Sequence, residues 1–250
     1  MLRIEHYLQL TFKSRYRISQ KSLFLKMSTV LSAQKRTISY ASCNVNADLQ
    51  NQRRIKGLVF DMDGTLVYPI TPFLKEMRVQ LKVPEGVDIL TYLHSLEGQV
   101  REEGEQIIKN LEAQALLEMK IHPGLRTLIK FLEDQSLRKA ILTRNNPATV
   151  DHFLAQTNHQ FETVVTREFR PPKPSPAPLL HIVDEWGFRP EEVFMIGDHS
   201  DDLECGSRAG ALTILLRNDI NGHFAEMADF VVDRLDEIIP ILQNGFQVEK

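Results

Sequence analysis

The chain has 250 residues, 42% hydrophobic and 25% charged, with a net charge of −3, enough for one α/β domain bearing an insertion or for two smaller domains. No apolar run approaches the roughly 20 residues that cross a bilayer, and two cysteines, Cys43 and Cys205, make neither a disulfide framework nor a metal-type Cys/His spacing. Eight basic residues face Glu5 alone between Met1 and Ala47, so the remainder is distinctly acidic, which argues against a nucleic-acid-binding face.

Residues 1–50 are basic, rich in Ser and Thr, almost free of acid, and interspersed with Leu, Ile, Phe and Tyr. That is the composition of a mitochondrial targeting peptide; the continuous apolar core of a secretory signal is absent. Arg36-Thr37-Ile38-Ser39-Tyr40-Ala41-Ser42 reads as a processing region. If translation starts at Met1, the expected destination is the mitochondrial matrix. A disordered basic tail, or a true start at Met27, would instead leave the protein in the cytoplasm. On either reading, residues 1–50 are set outside the fold.

From Ile55 the pattern changes. Leu58-Val59-Phe60 is a short apolar run of strand type, followed at once by Asp61-Met62-Asp63-Gly64. Pro69 and Pro72 then break the chain, and Phe73 to about Lys120 reads as helix. Apolar stripes at helical spacing run through Leu74, Met77, Leu81, then Ile89, Leu90, Leu93, Leu96, then Ile107, Ile108, Leu111, Ala115. Pro84-Glu85-Gly86 separates the first helix from the second, and Gly98 or Gly104 is a candidate for a further break. Beyond His122-Pro123-Gly124, strands and helices alternate. Strands are predicted at Lys139–Leu142, Phe161–Val165, Glu192–Ile196, Leu212–Leu216 and Phe230–Val232, with helices between them and a closing helix from Leu235 to Leu242. Such alternation predicts a parallel sheet covered on both faces.

Polar clusters follow the apolar strands: Asp61/Asp63, Thr143, Lys173 within Arg170–Pro176, and Asp198/Asp202. The carboxyl ends of parallel strands share one edge, so these clusters could meet in one cleft. Their chemistry is complementary. Asp61 can attack phosphorus, Asp63 can exchange a proton, Thr143 and Lys173 can hold phosphoryl oxygens, and Asp198 with Asp61 offers the hard oxygens that Mg2+ prefers. Singly, each has a plain structural reading: turn, helix cap or solvated surface charge.

Together, the motifs resemble the haloacid dehalogenase superfamily, most closely its phosphoglycolate phosphatase-like and β-phosphoglucomutase-like branch. Asp61-Met62-Asp63-Gly64-Thr65-Leu66 is similar to the first family motif, Thr143 to the second, Lys173-Pro174-Ser175-Pro176 to the third, and Gly197-Asp198 through Asp202 to Gly210 to the fourth. The resemblance spans roughly residues 54–242. It implies a Rossmann-like core from residues 51–68 and 122–250, with a small all-helical cap at 69–121. It further implies a Mg2+-dependent phosphatase acting on a small phosphorylated metabolite through an aspartyl-phosphate; charge and hydropathy point to no nucleic-acid or membrane partner, and monomer and homodimer both stay open. Asp61 would be the nucleophile and Asp63 the acid/base. Asp61, the Asp63 backbone carbonyl and Asp198 would bind metal, Thr143 and Lys173 phosphate, and Asp202 would orient Lys173 or a metal-bound water. Arg144 and Asn145 are candidate substrate contacts, and Asp201 has no assigned role. The alternatives are a phosphomutase using the same residues and a non-catalytic binding protein that keeps the fold. Dehalogenases of this superfamily lack the acid at the position of Asp63. Val67-Tyr68-Pro69 replaces a polar Asp-Ser pair common in relatives, so the cap hinge is expected to differ.

Overall fold

A strand made entirely of apolar residues is stable only where both of its faces are covered. The computed structural model, which describes residues 37–43, 53–69 and 71–249, meets that condition at its centre. In chain order its elements are β1 (Thr37–Tyr40), β2 (Gly57–Phe60), α1 (Thr71–Leu81), α2 (Ile89–Ser95), α3 (Gly98–Leu117), α4 (Leu125–Asp134), β3 (Arg138–Leu142), α5 (Pro147–Thr157) and β4 (Thr163–Val165). There follow α6 (Ala177–Trp186), β5 (Val193–Gly197), α7 (Ser200–Ala209), β6 (Leu212–Leu216), β7 (Phe230–Val232), α8 (Ile238–Asn244) and β8 (Phe246–Glu249). By its contacts the chain divides into Ser39–Val248, which carries the fold below, and a unit of residues 1–38 with 249–250. Of the second unit only Thr37, Ile38 and Glu249 are described, as strand residues.

Among the described residues, six strands form one sheet in the order β4-β3-β2-β5-β6-β7, parallel throughout. Every residue of β2, β5 and β6 is buried, whereas the edge strands β4 and β7 are short and partly exposed. Chain order reverses between β2 and β5, and at such a point the carboxyl ends of the strands open a crevice.

Side chains alternate between the two faces of the sheet. Val59, Ala140 and Met195 pack with Leu179, Ile182, Val183 and Trp186 of α6 and with Cys205 and Ala209 of α7. Two glycines permit this closeness. A Cβ at Gly57 would lie 2.4 Å from the Trp186 ring, and one at Gly206 would lie 2.6 Å from Thr213 Cγ2. Elsewhere α4 buries Leu125, Leu128, Ile129 and Leu132, a stripe at i, i+3, i+4 and i+7, and packs on β3 and α8.

Between β2 and α4 the long helical block divides into α1, α2 and α3, around an apolar cluster of Met77, Leu81, Leu93, Ile108 and Leu111. Leu74 differs from expectation, and of the two candidate breaks Gly98 is the one realised. Leu74, placed on the first apolar stripe, is 40% exposed. Gly98 begins α3, while Gly104 lies within it and causes no break, because its missing side chain lets Leu93 approach to 2.7 Å from where a Cβ would stand. The chain leaves and re-enters the core through paired backbone: Tyr68 N donates to Lys120 O at 2.8 Å, His122 N donates to Leu66 O at 2.9 Å, and the Tyr68 and His122 rings stack at 4.9 Å.

The largest correction concerns residues 1–50. Thr37–Tyr40, inside the segment set outside the fold, is strand β1 and pairs with β8. Tyr40 is buried and stacks on Phe246 at 4.7 Å, and Phe246 in turn meets Phe194 and Phe230. A basic, polar composition hid Tyr40, whose ring finds its stacking partner near the far end of the chain while its backbone bridges to Arg53. The other residues of that segment, 1–36 and 44–50, and with them most of the targeting reading, lie outside the described residues.

Tyr40→Ala should therefore cost about 3 kcal/mol of stability, as removal of a buried aromatic does, read as a lowered urea midpoint at unchanged m-value. A midpoint equal to that of the native chain would return β1 to the status of an appendage.

Candidate active site

The site begins one residue beyond β2. Asp61 N still donates to Ile196 O at 2.8 Å, extending the ladder toward β5. The backbone then folds over Met62, whose carbonyl accepts from the N–H groups of Thr65, Leu66 and Val67 at 3.2, 2.9 and 3.1 Å. With the Met62 side chain fully buried, the flanking Asp61 and Asp63 are directed away from the core. Gly64 turns the chain at φ +80°, and a Cβ there would stand 2.2 Å from Asp198 Oδ2. Both the left-handed conformation and the close approach call for glycine.

Asp198 follows β5 directly, beside the end of β2, and α7 starts just beyond it. Asp202 accepts from His199 N through Oδ2 at 3.2 Å, closing the first turn of that helix. Its other oxygen, Oδ1, accepts from Lys173 Nζ at 2.6 Å, and the same ammonium reaches Asp61 Oδ1 at 2.5 Å. Lys173 is buried, delivered from the proline-rich loop after β4. Carboxylate oxygens of Asp61, Asp198 and Asp202 lie within 4.8 Å of one another. Asn221 braces this corner, its amide donating to Asp198 O at 2.8 Å and Leu216 O at 3.0 Å.

Electrostatically the corner is short of positive charge. Burial alone would favour a neutral Lys173, but Asp202 and Asp61 outweigh it and hold the ammonium above its ordinary range. Burial lifts the Asp61 carboxyl well above its usual range, with Lys173 pulling against it. Burial, then the neighbouring Asp202, push Asp198 up to about 7.

Around Asp63 the arrangement is different. Burial raises its pKa and the Asn145 hydrogen bond opposes that rise. Oδ2 accepts from Asn145 Nδ2 at 2.8 Å, while Oδ1 is shielded from solvent without a hydrogen-bond partner. Thr143 follows β3 in a buried position, and its Oγ1 accepts from Asn145 N at 3.1 Å, leaving the hydroxyl hydrogen to donate elsewhere.

Thus Asp61, Lys173, Asp198 and Asp202 meet in one corner, and Asn145 links Asp63 with Thr143. The acidic side-chain cluster comprises Asp61, Asp198 and Asp202, whereas the side chain of Asp63 turns to Asn145. Arg144, a candidate substrate contact, pairs with Asp88 of the helical insert at 3.0 Å and with Asp201 at 3.4 Å, which gives Asp201 a partner. A second ionic contact joins Glu112 of α3 to Arg167 at 2.9 Å, and the other Glu112 oxygen accepts from Asn146 Nδ2 at 2.9 Å. Asp88, Glu112, Arg167 and Asn221 escaped the sequence reading. Their partners are 20 or more residues away in most cases, and no local pattern marks them.

Asp198→Asn should stabilise the protein in EDTA at pH 8 but hardly at pH 4. Below the ordinary carboxylate pKa both states are protonated. Between there and about pH 7 the unfolded chain ionises first, so the native carboxyl lowers stability as pH rises. The expected gain at pH 8 is on the order of 2–4 kcal/mol, measured by urea unfolding. Equal gains at both pH values would contradict the burial of this charge.

Residues 55–210 match the family described as haloacid dehalogenase-like hydrolase. An uncharacterized hydrolase of Saccharomyces cerevisiae is 39% identical over 206 residues, covering 78% of this chain and 94% of that protein. A phosphoglycolate phosphatase of Chromobacterium violaceum is 25% identical over 221 residues, covering 78% and 100%. The crystal structure of a hydrolase from Pseudomonas syringae has the same fold, with a TM-score of 0.63, 20% identity, and coverage of 75% of this chain and 97% of that one.

Proposed function

This chain belongs to the haloacid dehalogenase-like hydrolases, and on that premise we propose that it is a Mg2+-dependent phosphatase for a small phosphate monoester. The observation that carries the reading is the buried Lys173 ammonium, 2.5 Å from Asp61 and 2.6 Å from Asp202, with Asp198 alongside. A cation fixed beside a carboxylate at the mouth of a parallel sheet suits a phosphoryl group that must be bound and attacked at one place.

In this reading the Asp61 carboxylate attacks phosphorus and the ester oxygen departs, taking a proton from Asp63. The Asp63 carboxylate then takes a proton from water as the water oxygen attacks phosphorus. The bond to Asp61 breaks, phosphate leaves, and both aspartates return to their starting forms. Thr143 and Lys173 hold the phosphoryl oxygens throughout. The helical insert (α1–α3) acts as the cap that excludes bulk water, held to the core through Asp88–Arg144 and Glu112–Arg167.

The residues fit a divalent cation. Its donors would be hard carboxylate oxygens of Asp61 and Asp198, of the kind Mg2+ takes, and the Asp63 backbone carbonyl completes the expected set. Asp202 already has both oxygens engaged by Lys173 and His199, so it acts through Lys173. When bound, Mg2+ supplies charge that offsets the repulsion between Asp61 and an anionic substrate. A phosphatase named for a carboxylated monoester among the relatives supports small phosphorylated metabolites as the substrate class.

Asp61→Asn should lower kcat/KM toward p-nitrophenyl phosphate by at least about a thousandfold with an unchanged circular dichroism spectrum. EDTA should stop the native enzyme and added Mg2+ restore it. Full turnover by the variant, or by the chelated enzyme, would overturn the assignment.

A further inference from the structure

A carboxyl group that donates a proton must carry it on one of two oxygens, and the surroundings decide which. Asp63 Oδ2 already accepts the Asn145 amide N–H at 2.8 Å, so a proton on that oxygen would make it a poorer acceptor and weaken that bond, which favours the proton on Oδ1. Oδ1 has no protein partner and is shielded from solvent. An unmet buried oxygen of this kind needs an explanation, and a group brought in by the substrate provides one.

Asn145 is itself held from several sides. Its backbone N donates to Thr143 Oγ1 at 3.1 Å, and its carbonyl accepts from Arg167 N at 3.0 Å. The Arg167 guanidinium reaches Glu112 of α3, whose second oxygen takes Asn146 Nδ2. The amide therefore extends from a turn fixed to β3 on one side and to the helical insert on the other. Held in this way, it permits few orientations of the Asp63 carboxyl.

We propose that Asn145 is a positioning residue that turns Asp63 so that Oδ1 carries the transferable proton and meets the ester oxygen of the substrate. This assigns Asn145 a different duty from substrate contact, and it rests on the reading of Asp63 as the acid of a phosphatase. In the step affected, an Asp61 carboxylate oxygen forms a bond to phosphorus while the phosphorus–oxygen ester bond breaks and its electron pair goes to the leaving oxygen. That oxygen takes the proton from Oδ1, leaving an Asp63 carboxylate whose Oδ2 remains bound to Asn145.

The test compares two aryl esters that differ in their need for that proton. p-Nitrophenolate leaves readily without one, whereas phenolate is far more basic and depends on it. Full-length native protein, Asn145→Ala and the near-isosteric Asn145→Asp are assayed with Mg2+ on p-nitrophenyl phosphate and phenyl phosphate, after thermal melts verify that each variant folds. Both variants should lose about 10- to 100-fold in kcat/KM on phenyl phosphate, part of the range general acid catalysis supplies, and no more than about 3-fold on p-nitrophenyl phosphate. That ratio reports the ester-cleaving step and not the later hydrolysis common to both esters. Equal losses on the two esters would mean a merely structural role and overturn the proposal, as would no loss on either. Native protein inactive on both would instead overturn the phosphatase reading, and the proposal with it.

Discussion

One buried ammonium holds the site together. Lys173 reaches into the corner from the loop after β4 and pairs with Asp61 at the end of β2 and Asp202 in the first turn of α7. Burying charges in this way is costly unless each finds a partner, and removal of one partner leaves the others exposed to that cost. Three segments distant in sequence are thereby obliged to stay together. The surrounding small residues follow from the same constraint: Gly64 admits Asp198, and a Cβ at Gly197 would lie 2.2 Å from Asp202 Cβ.

The corner is also incomplete in charge. Asp61, Asp198 and Asp202 crowd around a single lysine, and burial raises the carboxyl pKa of Asp61 and Asp198. Such a pocket sacrifices stability when its carboxyls ionise, a cost typical of functional sites. Under the function proposed above, a divalent cation would supply the missing positive charge and offset that of an incoming phosphoryl group. The helical insert adds a second layer, because two of its acids, Asp88 and Glu112, face arginines of the core.

Much of this was legible in the sequence, for identifiable reasons. Strands β2, β5 and β6 announce themselves as apolar runs because the parallel sheet buries both of their faces. The order of Asp61, Thr143, Lys173 and Asp198 after successive strands was enough to foresee their common edge. What stayed hidden depends on partners far along the chain. Tyr40 looks like part of a basic tail until Phe246 stacks upon it. Arg144 and Asn145 read as neighbours of a phosphate-binding threonine, yet one joins Asp88 across 56 residues and the other Asp63 across 82. Gly98 and Gly104 read alike as candidate breaks, yet a helix begins at Gly98, while Gly104 lies inside it and admits Leu93.

The central claim is that the carboxylate held by Lys173 becomes the carrier of the phosphoryl group. It is tested most directly by quenching the working enzyme in acid within one turnover, reducing with borohydride, and mapping the peptides by mass spectrometry. An acyl phosphate on Asp61 would be reduced to homoserine at that position alone. Brisk turnover with Asp61 recovered intact, or with the reduced residue elsewhere, would contradict the account.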